Sequence, residues 1–297
     1  MSKSGFLIID KPSGLTSSGL VQQVKKMFGI KKIGHTGTLD PLATGLMILC
    51  LGQATKFSRF LIDQSKSYTV AIKLGVATDT YDSEGQVTSK GSTEHLSRGL
   101  IEQALKKFRG NIQQVPPVYS AKKKNGVPSY KMARMGIQVE LDPCEVSIYE
   151  NTLLSFDGEL LKLYIYCSKG TYIRTIAADL GDVLGCGAHV VSLRRNSVGH
   201  YSEIDMLGLS DLEKLRNDSE LVDHLLPVSA VFEDWKELIL EADQAQLVKH
   251  GTKTKCMPVV ENTWVSLYER LGGNEKRFLG VGEVSEGGEL SPRRLLN

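Results

Sequence analysis

The sequence predicts an α+β protein in which helices flank a mixed, largely antiparallel sheet, followed by a small β-rich C-terminal domain. Strand-like segments and single helices are mixed with hairpin-type turns but show no strict βαβ repetition, which favours antiparallel pairing. After Pro227 the pattern changes to short strands and glycines, as in small β domains. The chain has 297 residues, the length of about two domains, and we place these at 1–230 and 231–297.

Local patterns predict the first elements. The apolar run Gly5–Asp10 predicts a strand that ends before Pro12, because proline cannot donate to a strand ladder. Ser17–Phe28 carries its apolar residues on one helical face, so we expect a helix there. Thr16 is suited to cap its start and Gly29 to end it.

Further elements follow from periodicity and turn residues. We expect strands at the buried run Leu46–Leu51, at the alternating segments Ser67–Gly75 and Leu160–Cys167, and at Trp264–Tyr268 and Phe278–Val284. We expect helices over Ala54–Ile62, Thr93–Phe108, Thr171–Leu184 and Asp243–Lys249.

Composition excludes several classes of protein. The longest apolar run has six residues, Leu46–Leu51, whereas a membrane span needs roughly 20, so we expect no membrane partner. The five cysteines are widely spaced and form no CxxC pair or Cys/His cluster, which supports neither a zinc site nor a disulfide framework. We therefore expect a cytoplasmic monomer with reduced thiols and no metal.

The net charge of +2 conceals a strong asymmetry. Residues 1–200 have a net charge of +9 and residues 201–297 a net charge of −7. The segment Gln103–Val139 has no acidic residue but eight basic ones, with Tyr119 and Tyr130 among them. Cations interleaved with aromatic residues suit a phosphate backbone with unpaired bases. The alternative is a solvated, charged surface loop, and composition does not decide between the two.

Two short segments are candidates for chemistry. The glycine-rich loop Gly34–Gly45 contains His35 and Asp40 but matches no phosphate-binding glycine motif. An aspartate on such a loop is most often a cap or part of a turn. The alternative is that Asp40 is a catalytic residue. Tyr172 and Arg174 follow a strand end where a helix begins. Arginine there either pairs with a distant carboxylate or lies on the surface.

Several long strings in register resemble the TruB family of tRNA pseudouridine synthases. They are GHTGTLDPLATGLMILCLGQATK, KSYTV, DTYDSEG and CSKGTYIRTIAADLG, together with IIDKPSGLTS near the start and FLGVGEVSEGGELSPRRLL at the end. The resemblance covers essentially the whole chain, in order. It implies the pseudouridine synthase fold with a C-terminal, RNA-binding PUA-like domain.

The resemblance also implies a reaction. The family isomerises uridine-55 in the TΨC loop of tRNA to pseudouridine, without cofactor or metal, after flipping the base out of the loop. Asp40 matches the essential aspartate, whose carboxylate attacks either ribose C1′ or C6 of the base. Arg174 matches the arginine that pairs with it, and a guanidinium so placed keeps a carboxylate ionised.

The remaining site residues are carried over in the same way. Tyr68 matches the tyrosine that packs on the target base, and Tyr172 and Leu193 match residues of the uracil pocket. His35 matches a histidine that stacks into the T loop. The basic segment, about 103–139, corresponds to a mobile insertion that closes over the T stem-loop, and its expected backbone contacts are Lys122, Lys123, Lys124, Lys131 and Arg134.

Two other functions compete with this one. The first is an RNA-binding or tRNA-folding chaperone of the same fold, which has no need of an ionisable carboxylate paired with Arg174. The second is a synthase directed by a guide RNA within a larger particle. A long basic terminal extension would suit such a particle, and this sequence has none.

Overall fold

The structure, a computed structural model, describes residues 3–120, 122–124, 126–137, 139–215, 218–255 and 263–296, with only the backbone of Asp218. Four of the five cysteines lie in these ranges and are free thiols. Cys256 lies outside the described residues. Among the helices of the described ranges, none is both long and apolar enough to cross a membrane.

The strands before residue 231 form one large sheet and two short hairpins. They are β1 (Gly5–Lys11), β2 (Ile33–His35), β3 (Thr44–Leu51), β4 (Lys66–Leu74), β5 (Val76–Thr78), β6 (Val87–Lys90), β7 (Gly110–Gln114), β8 (Lys123–Lys124), β9 (Val127–Pro128), β10 (Cys144–Phe156), β11 (Leu160–Cys167), β12 (Ala188–Val198) and β13 (Leu207–Gly208).

The helices lie between these strands and in the C-terminal part. They are α1 (Ser17–Phe28), α2 (Ser58–Ile62), α3 (Arg98–Leu105), α4 (Ser129–Arg134), α5 (Ile173–Val183), α6 (Leu209–Lys214), α7 (Asp218–Asp223) and α8 (Ala242–Lys249).

The large sheet is mixed, as predicted. Its strand order within the described residues is β13-β1-β3-β12-β4-β11-β10-β7, with β2 also paired to β3. Only β1–β13 and β3–β12 are parallel pairs, and the other pairs are antiparallel. Strand β12 therefore joins the β1–β3 half of the sheet to the β4–β11–β10–β7 half, and the candidate site residues cluster at this junction.

Helix α1 has the predicted bounds and caps. The hydroxyl of Thr16 accepts a hydrogen bond from the backbone N–H of Gly19 at 2.9 Å, and Gly29 adopts a left-handed conformation with φ 60°. The helix expected over Thr93–Phe108 begins later, at Arg98, because the Ser97 hydroxyl caps it there. A turn precedes the helix, so the apolar pattern that predicted the helix covers more residues than the helix does.

Two other predicted helices also differ at their starts. The segment Ala54–Ile62 begins as a 3₁₀ helix, Gly52–Phe57, and continues as α2. The helix predicted from Thr171 begins two residues later, as α5. Helix ends are the least certain part of a sequence-based assignment. Tyr172, predicted within the helix, therefore precedes α5, and His35, predicted in the glycine-rich loop, ends β2.

Three apolar cores support the first domain. The first lies between one face of β4, β11 and β12 and helices α3 and α5. The predicted alternation in β4 is confirmed there, since Tyr68, Val70, Ile72 and Leu74 are all buried. The other two cores cover opposite faces of β1 and β3, which explains why the run Leu46–Leu51 is apolar on both faces.

The predicted β-rich C-terminal domain is present. Its sheet consists of β14 (Glu237–Leu240), β15 (Thr254–Lys255), β16 (Thr263–Gly272), β17 (Glu275–Val284) and β18 (Glu289–Leu295), in the order β14-β16-β17-β18-β15. The 3₁₀ helix Val228–Phe232 precedes this sheet. An aromatic cluster links the two sheets, with the ring of Phe232 5.8 Å from that of Phe57 and 5.8 Å from that of Phe278.

The segment predicted as a basic insertion, about 103–139, begins in helix α3 and includes a strand of the large sheet. Residues 103–114 belong to α3, a following 3₁₀ helix and β7. The part that leaves the sheet, hereafter the basic insertion, spans residues 115–143 between β7 and β10. Its described residues include the β8–β9 hairpin and α4. The stretch without acidic residues therefore includes β7, a strand at the edge of the large sheet. Composition alone did not reveal this.

Candidate active site

The loop that carries Asp40 lies between β2 and β3 and is held from several sides. The hydroxyl of Ser17 accepts from the N–H of Leu39 at 2.8 Å and donates to its carbonyl at 2.9 Å. The Lys11 ammonium donates to the carbonyl of Pro41 at 3.3 Å and to that of Leu15 at 2.6 Å. These bonds fix the backbone on both sides of Asp40.

Gly45 closes the loop where it meets the sheet. It has φ 100°, and a Cβ there would lie 2.3 Å from the carbonyl oxygen of Arg195 on β12. Only glycine combines this backbone conformation with such a close approach. The parallel pairing of β3 with β12 therefore depends on this residue.

Arg174, on the first turn of α5, connects Asp40 to two other segments. Its guanidinium makes a two-pronged contact with Asp40, with Nε 2.9 Å from Oδ2 and Nη2 3.2 Å from Oδ1. Nη1 lies 3.3 Å from Oδ2 of Asp82 and donates to the carbonyl of Thr80 at 2.9 Å. Nη2 also donates to the carbonyl of Tyr119 at 2.9 Å, so the same guanidinium anchors the basic insertion.

The pairing expected between Arg174 and Asp40 is thus present, but its electrostatic effect is opposed by burial. Burial raises the pKa of the Asp40 carboxyl above its ordinary value, and the charge of Asp82 raises it further. The charges of Arg174 and Lys11 act in the opposite direction. Arg174 therefore stabilises an ionised carboxylate that burial would otherwise favour in its protonated form.

Tyr68 and Leu193 lie together on the face of the sheet next to this loop. Both are buried, and both belong to the apolar core that includes Leu39 and Ala43 of the Asp40 loop. Burial raises the pKa of the Tyr68 hydroxyl, while the charge of Arg195 lowers that pKa. The arrangement supplies a flat aromatic surface and an aliphatic wall beside a carboxylate.

Tyr172 borders the same region from the residue before α5. Its backbone N–H donates to the side-chain oxygen of Gln114 at 2.7 Å, and its carbonyl accepts from the side-chain amide at 3.0 Å. His35 lies at the end of β2 and is half-buried. Burial, followed by the charge of Arg195, lowers the pKa of its imidazole, and its buried Nδ1 has no hydrogen-bond partner among the described residues.

The basic residues of the insertion lie outside this cluster. Lys123 and Lys124 form β8 and are exposed, and Lys131 and Arg134 lie on α4. The guanidinium of Arg134 lies 5.8 Å from the ring centroid of Tyr130. Among the described residues, the insertion contacts Arg174 through the carbonyl of Tyr119, and none of its basic side chains forms an ion pair or hydrogen bond with Asp40 or Arg174.

Sequence reasoning missed three residues of this arrangement. Asp82 lay within the quoted string DTYDSEG, but nothing in its spacing distinguished a buried carboxylate from a turn residue. Its Oδ1 accepts from the Thr80 hydroxyl at 2.6 Å, and its side chain is 4% exposed. Gln114 and Arg195 are each 2% exposed, and only an unusual polar residue within a strand pattern could have indicated them.

The described residues around Asp40 do not form a metal-binding cluster. Within the described ranges, no group of three or more His, Cys, Asp or Glu side chains is arranged to hold a metal ion. The expectation that the reaction uses neither metal nor cofactor stays a prediction.

Comparison with known families agrees with this geometry. The model described as "TruB family pseudouridylate synthase (N terminal domain)" matches residues 25–173, which include Asp40, Tyr68 and Asp82. The chain belongs to the TruB family of tRNA pseudouridine synthases. Two further models, for the C-terminal parts of TruB enzymes, match residues 174–233 and 237–296. The resemblance inferred from the sequence strings is thereby confirmed, and the protein is an RNA-modifying isomerase.

Individual relatives cover nearly the full chain. A tRNA pseudouridine synthase B of Coxiella burnetii is 44% identical over 295 residues, which cover 98% of this chain and 94% of the relative. One of Vibrio vulnificus is 42% identical over 301 residues, covering 98% and 95%. A solved structure described as a Cbf5-Nop10-Gar1 complex has a TM-score of 0.72 at 21% identity, covering 99% of this chain and 85% of that one. This last likeness shows the fold alone.

Proposed function

We propose that this enzyme isomerises uridine-55 in the TΨC loop of tRNA to pseudouridine, with the carboxylate of Asp40 as nucleophile. The observation that carries the proposal is the two-pronged pairing of the half-buried Asp40 with the buried Arg174. The relatives named as tRNA pseudouridine synthase B support tRNA as the substrate.

The pairing suits Asp40 to nucleophilic attack. A carboxylate attacks through a lone pair, so it has to be ionised when the substrate arrives. Arg174 favours that form by charge and by hydrogen bonding, and it fixes both carboxylate oxygens in one plane. Attack on ribose C1′ and attack on C6 of the base both begin from this state. In either route, the base is detached from C1′ through N1, turned, and rejoined through C5.

The pocket next to Asp40 suits a base that has left its stack. A uridine within a folded loop presents neither C1′ nor C6 to a protein side chain, so it has to be flipped out. Tyr68 offers a ring for the flipped base to stack on, and Leu193 and Tyr172 complete the walls. His35 has a lowered pKa, so its ring is neutral near pH 7 and suited to stacking among the bases of the T loop.

The basic insertion supplies the contacts expected for the T stem. Lys123, Lys131 and Arg134 have no ion pair with a carboxylate within the described residues, so their charges are available to phosphates. The tie between Tyr119 and Arg174 joins the insertion to the active site. RNA held by the insertion would therefore be placed over Asp40.

A tritium-release assay tests this proposal. Uridine labelled at C5 loses its tritium when the base is rejoined through C5, so a T-arm stem-loop RNA reports each turnover. We expect release by the wild-type enzyme and none by Asp40→Ala, with RNA binding retained by both. Asp63→Ala is the matched control, because Asp63 lies on the surface and pairs with Lys169. Equal release by wild type and Asp40→Ala would contradict the catalytic role, and binding without release by the wild type would favour a chaperone.

A further inference from the structure

Arg195 is buried beneath the active site, and no ion pair neutralises it. Its residue exposure is 2%, and it is among the largest fully buried side chains. Within the described residues, no carboxylate lies within 4 Å of its guanidinium. Burying a cation without a counter-ion is unfavourable unless its donors are satisfied, so its hydrogen-bond partners indicate what it does.

Those partners are the two ends of the loop that carries Asp40. The Nε of Arg195 donates to the carbonyl of Leu46 at 2.6 Å, and Nη2 donates to the carbonyl of Gly37 at 3.3 Å. Nη1 lies 3.4 Å from the point where a Cβ on Gly37 would sit. One side chain thus spans the loop from its start to its end.

The backbone of Arg195 lies between the two strands that carry the reacting groups. Arg195 on β12 is directly opposite Gly45 on β3 and directly opposite Tyr68 on β4. Residues directly opposite each other in an antiparallel pair project from the same face with their Cβ atoms roughly 5 Å apart. The charge of Arg195, placed opposite Tyr68, accordingly lowers the pKa of the Tyr68 hydroxyl, which burial raises.

We propose that Arg195 is a positioning residue for the isomerisation, one whose guanidinium holds the Asp40 loop in a fixed position relative to Tyr68, the residue directly opposite it on β4. The inference rests on the proposed function. A guanidinium suits this task because its five donors lie in one plane and point in several directions. Asp40 and Tyr68 approach the base from different strands, so their relative placement is set by whatever joins those strands.

The test compares Arg195→Gln and Arg195→Lys in single-turnover tritium release at saturating T-arm RNA. We expect Arg195→Gln to lower the rate by about 100-fold, the scale of a small misplacement of reacting groups, with RNA affinity unchanged. Arg195→Lys keeps the charge but cannot reach both loop carbonyls at once, so we expect a partial recovery. Arg194→Gln is the matched control, because Arg194 projects from the opposite face and pairs with Asp10 and Glu203.

Two measurements separate positioning from a role in folding alone. Thermal unfolding of each variant gives the folded fraction by which the rates are divided. An Arg195→Lys enzyme that is less stable but has the wild-type rate per folded molecule would overturn the inference. This variant also keeps the test decisive if Arg195→Gln does not fold.

A double-mutant cycle with Tyr68→Phe tests the link to the tyrosine. We expect Arg195→Gln to lower the rate less in the Tyr68→Phe enzyme than in the wild type, because the hydroxyl that lies opposite Arg195 is already missing. Fully additive effects would overturn the inference. Failure of the proposed function would be seen separately, as absence of tritium release by the wild-type enzyme.

Discussion

The basic insertion and the C-terminal domain both carry lysine and arginine side chains, but they differ in whether carboxylates pair with these side chains. In the insertion, Lys122 and Lys124 donate to the backbone carbonyls of Asp142 and Glu140, and neither forms an ion pair with a carboxylate of the described residues. In the C-terminal domain, six basic side chains lie within ion-pair distance of glutamates: Lys249, Lys253, Arg270, Lys276, Arg277 and Arg293. The charge that a region offers to RNA therefore depends on pairing as well as on composition.

The ion pairs of the C-terminal domain are more exposed to solvent than the ion pair between Arg174 and Asp82 in the active site. The side chains of Arg174 and Asp82 are 6% and 4% exposed, whereas those of Arg293 and Glu283 are 50% and 33% exposed. Water screens an exposed pair, and its side chains lose conformational freedom when they meet. A buried pair avoids that screening, and removal of one partner leaves an uncompensated charge. The distance between two charged groups therefore does not by itself indicate how much their ion pair stabilises the protein.

The largest effect is expected for Arg174→Gln. The change leaves the buried carboxylate of Asp82 without a cation, which should lower the free energy of unfolding by roughly 3–5 kcal/mol. It also releases Asp40 and the Tyr119 carbonyl, so tritium release should fall by at least about 100-fold. Urea unfolding and single-turnover assays measure the two effects. A loss of stability no greater than that of a surface pair would contradict the distinction between buried and exposed pairs.

The next effect concerns RNA affinity. Neutralising Lys122, Lys123 and Lys124 together should weaken binding of the T-arm RNA and reduce the slope of log K against log salt by about 2, since each phosphate contact contributes roughly 0.7–0.9. Filter binding over a range of salt concentrations measures the slope. The matched control replaces three paired cations of the C-terminal domain, Lys253, Lys276 and Arg293, by glutamine. Equal changes in slope for the two triple variants would show that pairing does not decide which charges meet RNA.

A smaller effect is expected from Asp82→Asn on the pH profile. The charge of Asp82 adds to the rise in the Asp40 pKa that burial produces. The rate should therefore fall as the pH drops through that raised pKa, where Asp40 becomes protonated. Removing the charge of Asp82 should move this acid limb to lower pH. Single-turnover rates from pH 4 to pH 8 measure the shift, and an unmoved or raised limb would contradict the assignment of Asp82.

The smallest effect is expected for Glu283→Gln. Its partner Arg293 is half exposed, so the free energy of unfolding should change by less than about 1 kcal/mol. Tritium release should equal that of the wild type. Urea unfolding is the measurement, and a loss as large as that of Arg174→Gln would remove the contrast between the two regions.

Local pattern was sufficient for most elements that carry the site. The helix Ser17–Phe28 and the alternation in β4 depend on neighbours within a few residues, and the structure has both as predicted. The family strings assigned Asp40, Tyr68 and Arg174 before any geometry was known. Asp82 and Arg195 were not assigned, because their partners are distant in the chain: Arg174 is 92 residues from Asp82, and Leu46 is 149 residues from Arg195.

The sequence by itself determined the fold class, the family and the excess of positive charge before residue 201, and it predicted Asp40 as the nucleophile. The fold class and the charge follow from periodicity and composition, and the family and the role expected of Asp40 follow from the resemblance of long strings; none of these needs knowledge of distant contacts. Only the tertiary structure decided that Arg174 serves two carboxylates and that burial raises the pKa of Asp40. Only the tertiary structure placed Arg195, which has no ion pair among the described residues, between Gly45 and Tyr68. The physical reason is that burial and charge pairing are set by strand order, which local sequence does not specify.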